Sequence, residues 1–146
     1  MPKEHQKFVI SQKGMIMRGD KCLIVQLAQE EGPSSFKWDL PGGRIDEGEQ
    51  ADIAFKREIL EETGIESVQD LGVADHCIHY PRNTRFSPYC RIIHLLKIAD
   101  DAEVKLSFEH IDMKWIGQDE IGDFEYCWKM MPEMIKKGFE LYKKVR

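Results

Sequence analysis

The chain has 146 residues, 42% hydrophobic and 32% charged, with a formal net charge of −5 at pH 7. That length suits one domain, read here as residues 1–146, with a core large enough to need no staples. No apolar run reaches membrane-spanning length, Met1 to Lys7 lacks the apolar core of an export signal, and the acidic balance argues against general nucleic-acid binding, so a cytoplasmic protein is expected.

In chain order, Lys7 to Met17 reads as a strand, Arg18-Gly19-Asp20 as a tight turn and Lys21 to Leu27 as a second strand, together a hairpin. Ala28 to Lys37 reads as a loop, followed by Trp38 and the loop signal Leu40-Pro41-Gly42-Gly43, whose glycines permit close backbone approach. A helix is expected from about Glu49, whose charge suits a helix start, to Thr63, with Gly64 as the stop. Ser67 to Ile78 reads as a strand, and Tyr80 to Pro88 as a loop carrying Arg82 and Arg85 with Tyr80, Phe86 and Tyr89 around them. Tyr89 to Ile98 and Ile111 to Ile116 read as strands, and Gln118 to Gly122 as a turn or short helix. A terminal helix starts near Met131, with Pro132 in its first turn. Its apolar stripe, with Trp128 just ahead of it (Trp128, Met131, Met134, Ile135, Phe139, Tyr142), packs on a sheet or supports a homodimer. Cys22, Cys77, Cys90 and Cys127 form no C-x-x-C pair and read as reduced thiols.

The helix after Gly43 carries the chemistry. At helical spacing Glu58, Glu61 and Glu62 fall within an arc of roughly 100°. Phe55 and Ile59 are expected to wall that arc on one side, and Ile53 and Leu60 on the other, with Asp52, Lys56 and Thr63 turned to solvent. Three carboxylates at i, i+3 and i+4 repel one another, and burial sharpens the conflict. Arg57 compensates part of it. A hard divalent cation with oxygen ligands, Mg²⁺ or Mn²⁺, fits the rest; the bland reading is a solvated acidic face.

Gly43, Glu49, Arg57, Glu58, Ile59, Glu61, Glu62, Gly64 and Ile65 match without a gap the pattern G-x5-E-x7-R-E-U-x-E-E-x-G-U, U being a bulky aliphatic residue. This resembles the box of the Nudix hydrolase superfamily. The resemblance implies an α/β fold, an α/β/α sandwich with a mixed sheet. It implies a metal-dependent pyrophosphohydrolase that cleaves a nucleoside diphosphate linked to another group. Carried over by resemblance, Glu58, Glu61, Glu62 and the Gly42 carbonyl hold the metal. Arg57 orients the glutamates through Glu49 or Glu61, and the general base is a box glutamate such as Glu58 or Glu61, or the later Glu109.

Arg82, Arg85, Tyr80 and Trp38 are the expected substrate contacts, since arginines take phosphates and aromatics take bases; Trp38 has a packing reading beside this one. The substrate marks conflict. Pro81, sixteen residues after Ile65, resembles the mark of the ADP-ribose branch, while Tyr80 and Leu106-Ser-Phe-Glu-His110 resemble the diadenosine polyphosphate branch. The expectation leans to ADP-ribose or a nucleotide sugar. Nucleoside triphosphates, diadenosine polyphosphates and a non-catalytic nucleotide-binding module are the alternatives.

Overall fold

In the computed structural model, residues 1–28 and 35–146 are described. The loop expected over 28–37 therefore lies largely outside the described residues. The elements are β1 (Val9–Arg18), β2 (Lys21–Leu27), β3 (Trp38–Asp39), β4 (Gly42–Arg44), α1 (Ala51–Thr63), β5 (Gln69–His79), β6 (Tyr89–Lys97), β7 (His110–Ile116), a 3₁₀ turn (Gln118–Asp123) and α2 (Met131–Val145). The strands form one mixed sheet in the order β3-β2-β1-β6-β5, with β4 added to β1 and β7 to β2. β1 runs parallel to β6 and antiparallel to β2 and β4.

Alternation along β1 divides the molecule into layers. Met15 and Met17 face a core built with Met131, Met134, Ile135, Phe139 and Tyr142 of α2. Ile16 faces a second core built with Phe55 and Ile59 of α1, Leu23, Val25 and Leu96. A period-2 strand between two apolar layers is buried on both faces, which is why β1 and β2 read as nearly unbroken apolar runs. The α/β/α sandwich with a mixed sheet is therefore the observed fold. The stripe on α2 is buried against the sheet and is not available as a dimer surface. Among the described residues no helix is long and apolar enough to cross a membrane.

Three local expectations need correction. α1 begins at Ala51 rather than Glu49, with Gln50 as its N-cap. Glu49 is committed elsewhere, because Asp46 and Glu49 close a turn on each other and the Glu49 carboxylate holds Arg57. Ile53 and Leu60 are 60% and 46% exposed, so α1 buries only the flank carrying Phe55 and Ile59. A helix laid on a sheet has one inner flank, and the opposite one faces solvent. Thr63, expected outside, is fully buried. Its hydroxyl donates to the Ile59 carbonyl at 2.6 Å and accepts from the Ile65 N–H at 3.2 Å, which ties the helix end into the core. Gly64 then ends the helix with φ +71°, as expected of a C′ glycine.

Candidate active site

Two glycines set the geometry. Gly42 sits at φ +137° in β4, where a side chain would collide with the Gln12 carbonyl. A Cβ on Gly43 would lie 2.5 Å from the Glu58 carboxyl carbon. The backbone of β4 therefore runs directly against the acidic face of α1. The N–H of Gly42 donates to Glu62 Oε2 at 2.7 Å, fixing that buried carboxylate. Gly43→Ala should push the Glu58 carboxylate out of place and weaken Mn²⁺ binding by about 10–100-fold, the range for disturbing a ligand's support. A Mn²⁺ titration by calorimetry checks this, and unchanged affinity would count against Glu58 as a ligand.

Arg57 organises the acids. Its Nε and Nη2 donate to Glu49 at 3.1 and 2.9 Å as a fork, while Nη1 donates to Glu58 at 3.1 Å and to Glu61 at 3.2 Å. Both partners expected for Arg57 are present, with Glu58 and a longer contact to Asp46 in addition. Its hydrogen bond holds Glu49 below the usual carboxylate range. Burial pushes Glu62 up to about 7, although Lys13 and the Gly42 N–H pull the other way. Burial also raises Glu58; Arg57 opposes the rise and Glu61 and Glu109 add to it.

These acids fit a hard cation by their chemistry. Two are partly or wholly buried, both are raised by burial, and one arginine shared with Glu49 cannot neutralise them. Among the described residues, however, no three acidic, His or Cys side chains already converge as a ready cage. Arg57 holds Glu58 and Glu61, and the Gly42 N–H holds Glu62. The Gly42 carbonyl faces the Lys13 ammonium at 3.4 Å.

Glu109 is brought to the site by the backbone. The N–H groups of Lys105 and Ser107 donate to the carbonyls of Thr63 and Glu62, so the 105–109 segment is laced to the end of α1. Glu109 stands exposed, close enough to Glu58 to raise its pKa.

A cleft opens on the other side of Gly43, lined by Lys13, Asp39, Arg44, His79, Pro81, Phe86, Tyr89, Arg91 and Trp128 among others. Of the four expected substrate contacts, none is in that lining. Arg82 and Arg85 stand exposed on the loop that contributes Pro81 and Phe86, and Tyr80 packs edge-on against Phe8. Trp38 is a correction: the residue is 8% exposed and its ring packs edge-on against Phe124 in the core, which does not suit it to stack on a base.

Sequence reasoning passed over Lys13, Asp39, Arg44 and Arg91; Tyr89, expected beside the arginine loop, does line the cleft, and Trp128, expected in the terminal stripe, precedes α2 and lines the cleft instead. One signal was available. Arg91 stands near the start of the largely apolar strand Tyr89 to Ile98, and a charge in such a run has to face something polar. The Lys13 ammonium lies 2.9 Å from Asp39, and both side chains are largely buried. Burial pulls the Lys13 pKa down, but Asp39 and Glu62 outweigh it and hold it above the ordinary value.

A NUDIX domain model matches residues 12–137. The chain belongs to the Nudix family of hydrolases. An asymmetrical bis(5'-nucleosyl)-tetraphosphatase of Rattus norvegicus is 31% identical over 113 residues, covering 77% of each chain. Nudix hydrolase 26, chloroplastic, of Arabidopsis thaliana is 32% identical over 144 residues, covering 90% of this chain and 63% of that one. The solved structure of a MutT protein from Methanosarcina mazei Go1 superposes with a TM-score of 0.74 at 24% identity, over 97% of this chain and 99% of that one. That last likeness supports the Nudix fold alone. Within this Nudix chain, the matched residues take in the acidic helix, β4 and the cationic cleft together.

Proposed function

We propose that this Nudix protein is a divalent-metal-dependent pyrophosphohydrolase of nucleoside polyphosphates, with a dinucleoside polyphosphate as its first substrate. The observation that carries the reading is the juxtaposition across Gly43. A partly buried acidic cluster lies on one side, and a cleft lined by Lys13, Arg44 and Arg91 lies on the other. An anionic chain lying in the cleft would be attracted along its length and would meet the glutamates at Gly43. The rat tetraphosphatase relative supports the dinucleoside class.

In this reading Glu58, Glu61, Glu62 and the Gly42 carbonyl hold Mg²⁺ or Mn²⁺. A cation bound there supplies charge stabilisation to the phosphoryl oxygens and acidifies water. Arg57 keeps Glu58 and Glu61 oriented, and with Glu49 it forms the rigid support of the acidic face. Glu109, exposed beside Glu58, accepts the proton of the attacking water, with Glu61 as the other candidate base. Arg82 and Arg85, on the same loop as Pro81 and Phe86, would meet the far part of a long substrate, with Tyr80 beside them.

ADP-ribose is the second reading, favoured by Pro81, which lines the cleft. The deciding experiment is a panel assay with Mg²⁺ or Mn²⁺ on diadenosine tetraphosphate, ADP-ribose, a nucleotide sugar and nucleoside triphosphates, products resolved by chromatography. Preferred cleavage of the tetraphosphate is expected. Preferred cleavage of ADP-ribose would replace the first reading with the second. Tight nucleotide binding without cleavage would make the protein a binding module.

A further inference from the structure

The cleft beyond Gly43 is lined by an unusual arrangement of cations over aromatic rings. The Arg44 guanidinium lies 5.2 Å from the Tyr89 ring centre, and the Arg91 guanidinium lies 5.3 Å from that ring and 4.4 Å from the Trp128 ring. The Lys13 ammonium lies 5.9 Å from the Trp128 ring. The arc starts beside Gly43 and returns, through Lys13, to the Gly42 carbonyl.

The sheet explains how it is built. Ser11 of β1 is register partner to both Arg44 of β4 and Arg91 of β6, so the two arginines flank β1 in one cross-strand row. Their backbone origins are two strand spacings apart, about 10 Å. Ser11 between them is small and buried, so no bulky β1 side chain stands between the two arginines. Tyr89 precedes Arg91 by two residues and shares its face of the strand.

The three cations are not equivalent. Lys13 is neutralised by Asp39 at 2.9 Å. Arg44 and Arg91 form no ion pair among the described residues; the Arg91 guanidinium lies beside the Cys77 thiol instead. A guanidinium stacked on a ring keeps its in-plane N–H groups free for bidentate contact with phosphate. Tyr89 and Trp128 each already carry two cations, so their role is to order the arginines rather than to receive a base.

We propose that Arg44 and Arg91 read the number of phosphates in the substrate. They would engage the part of a polyphosphate chain that extends beyond the bond being cleaved and favour chains of three or more phosphates over diphosphates. This rests on the reading of the site as one for nucleoside phosphate anhydrides. Arg44 and Arg91 are specificity determinants here, and Tyr89 and Trp128 are positioning residues.

The test compares wild type with Arg44→Gln and Arg91→Gln on ADP-ribose, diadenosine triphosphate and diadenosine tetraphosphate. Each loss of a charge-assisted phosphate contact is expected to lower kcat/KM for the tetraphosphate by about 10–100-fold. The loss should grow with phosphate number, so that the tetraphosphate to ADP-ribose ratio falls at least about tenfold. A loss of the same size on all three substrates would overturn the proposal, since damage to the fold or to the chemistry would not depend on chain length. Arg44 is exposed, which guards against an unfolded variant.

Calorimetry with inorganic pyrophosphate and tripolyphosphate, in EDTA, separates this proposal from the activity reading. Tighter binding of tripolyphosphate by wild type, lost in Arg91→Gln, upholds the proposal even if no nucleotide is cleaved. Equal binding of the two anions, or no change in either variant, overturns it even if the enzyme is active.

Discussion

Glu62→Gln should abolish turnover, by about 10³-fold or more, while leaving a protein that is more stable than wild type at pH 8 once metal is removed. The first half follows from the proposed role of Glu62 as a metal-holding carboxylate in an electrostatic cluster. The second follows from linkage. Burial raises the pKa of Glu62 to about 7 from an ordinary 4.5. The folded state therefore holds a proton that the unfolded state releases. The stability this contributes is fully present below about pH 4.5 and is lost as pH rises through about 7, a loss of about 3 kcal/mol in all.

Glutamine does not titrate. Its side-chain carbonyl can still accept the Gly42 N–H, so the contact at 2.7 Å has a replacement. For a chain of this size the variant should melt several degrees above wild type at pH 8 in EDTA and close to wild type at pH 4.5. Added Mg²⁺ should raise the wild-type Tm at pH 8 more than that of the variant, because a cation replaces the missing counter-charge. Thermal denaturation at the two pH values, with and without Mg²⁺, checks each part. Near-normal turnover, or a Tm difference independent of pH, would falsify the role given to Glu62.

Arg57→Lys is the second large effect expected. Lysine keeps the charge but presents a point rather than a planar fork, and Arg57 uses all three of its nitrogens on the glutamates. One ammonium cannot hold Glu49 in two places and still reach Glu58 and Glu61. Turnover should fall about 10–100-fold, the range for losing an orienting partner. Folding should survive, because Arg57 stands at the surface end of the network rather than in a core. The diagnostic measurement is kcat against KM. A drop confined to kcat fits misplaced glutamates, whereas a rise in KM alone would mean that Arg57 contacts substrate instead.

The acidic half of the site was legible in the sequence because it is local. Glu58, Glu61 and Glu62 share a helix face by periodicity, and Gly64 marks the end of that helix by its own conformational freedom. The two-layer packing was also legible, since runs such as Cys22 to Val25 admit no solvent face. What escaped was non-local. Arg44, Ser11 and Arg91 come together through the register of β1 with β4 and with the distant β6, and no short window of sequence encodes that pairing. Trp38 misled for a related reason. Its neighbours in the chain border the site, but its ring turns to Phe124, far along the sequence. The expected wall at Ile53 and Leu60 failed because a helical wheel does not say which flank meets the sheet.

The glycine pair has a consequence for how this molecule could change over time. The acids belong to α1 and lie on one side of the sheet, and the arginine and aromatic arc belongs to the α2 side. Gly42 and Gly43 form the seam between the two. Substitutions in the arc at Arg44 or Arg91 leave the hydrogen bonds of Glu49, Glu58, Glu61 and Glu62 untouched. If the acids cleave and the arc selects, as proposed, the two parts can diverge separately, and one hydrolytic engine can be refitted to new anhydrides by altering a single wall of the cleft.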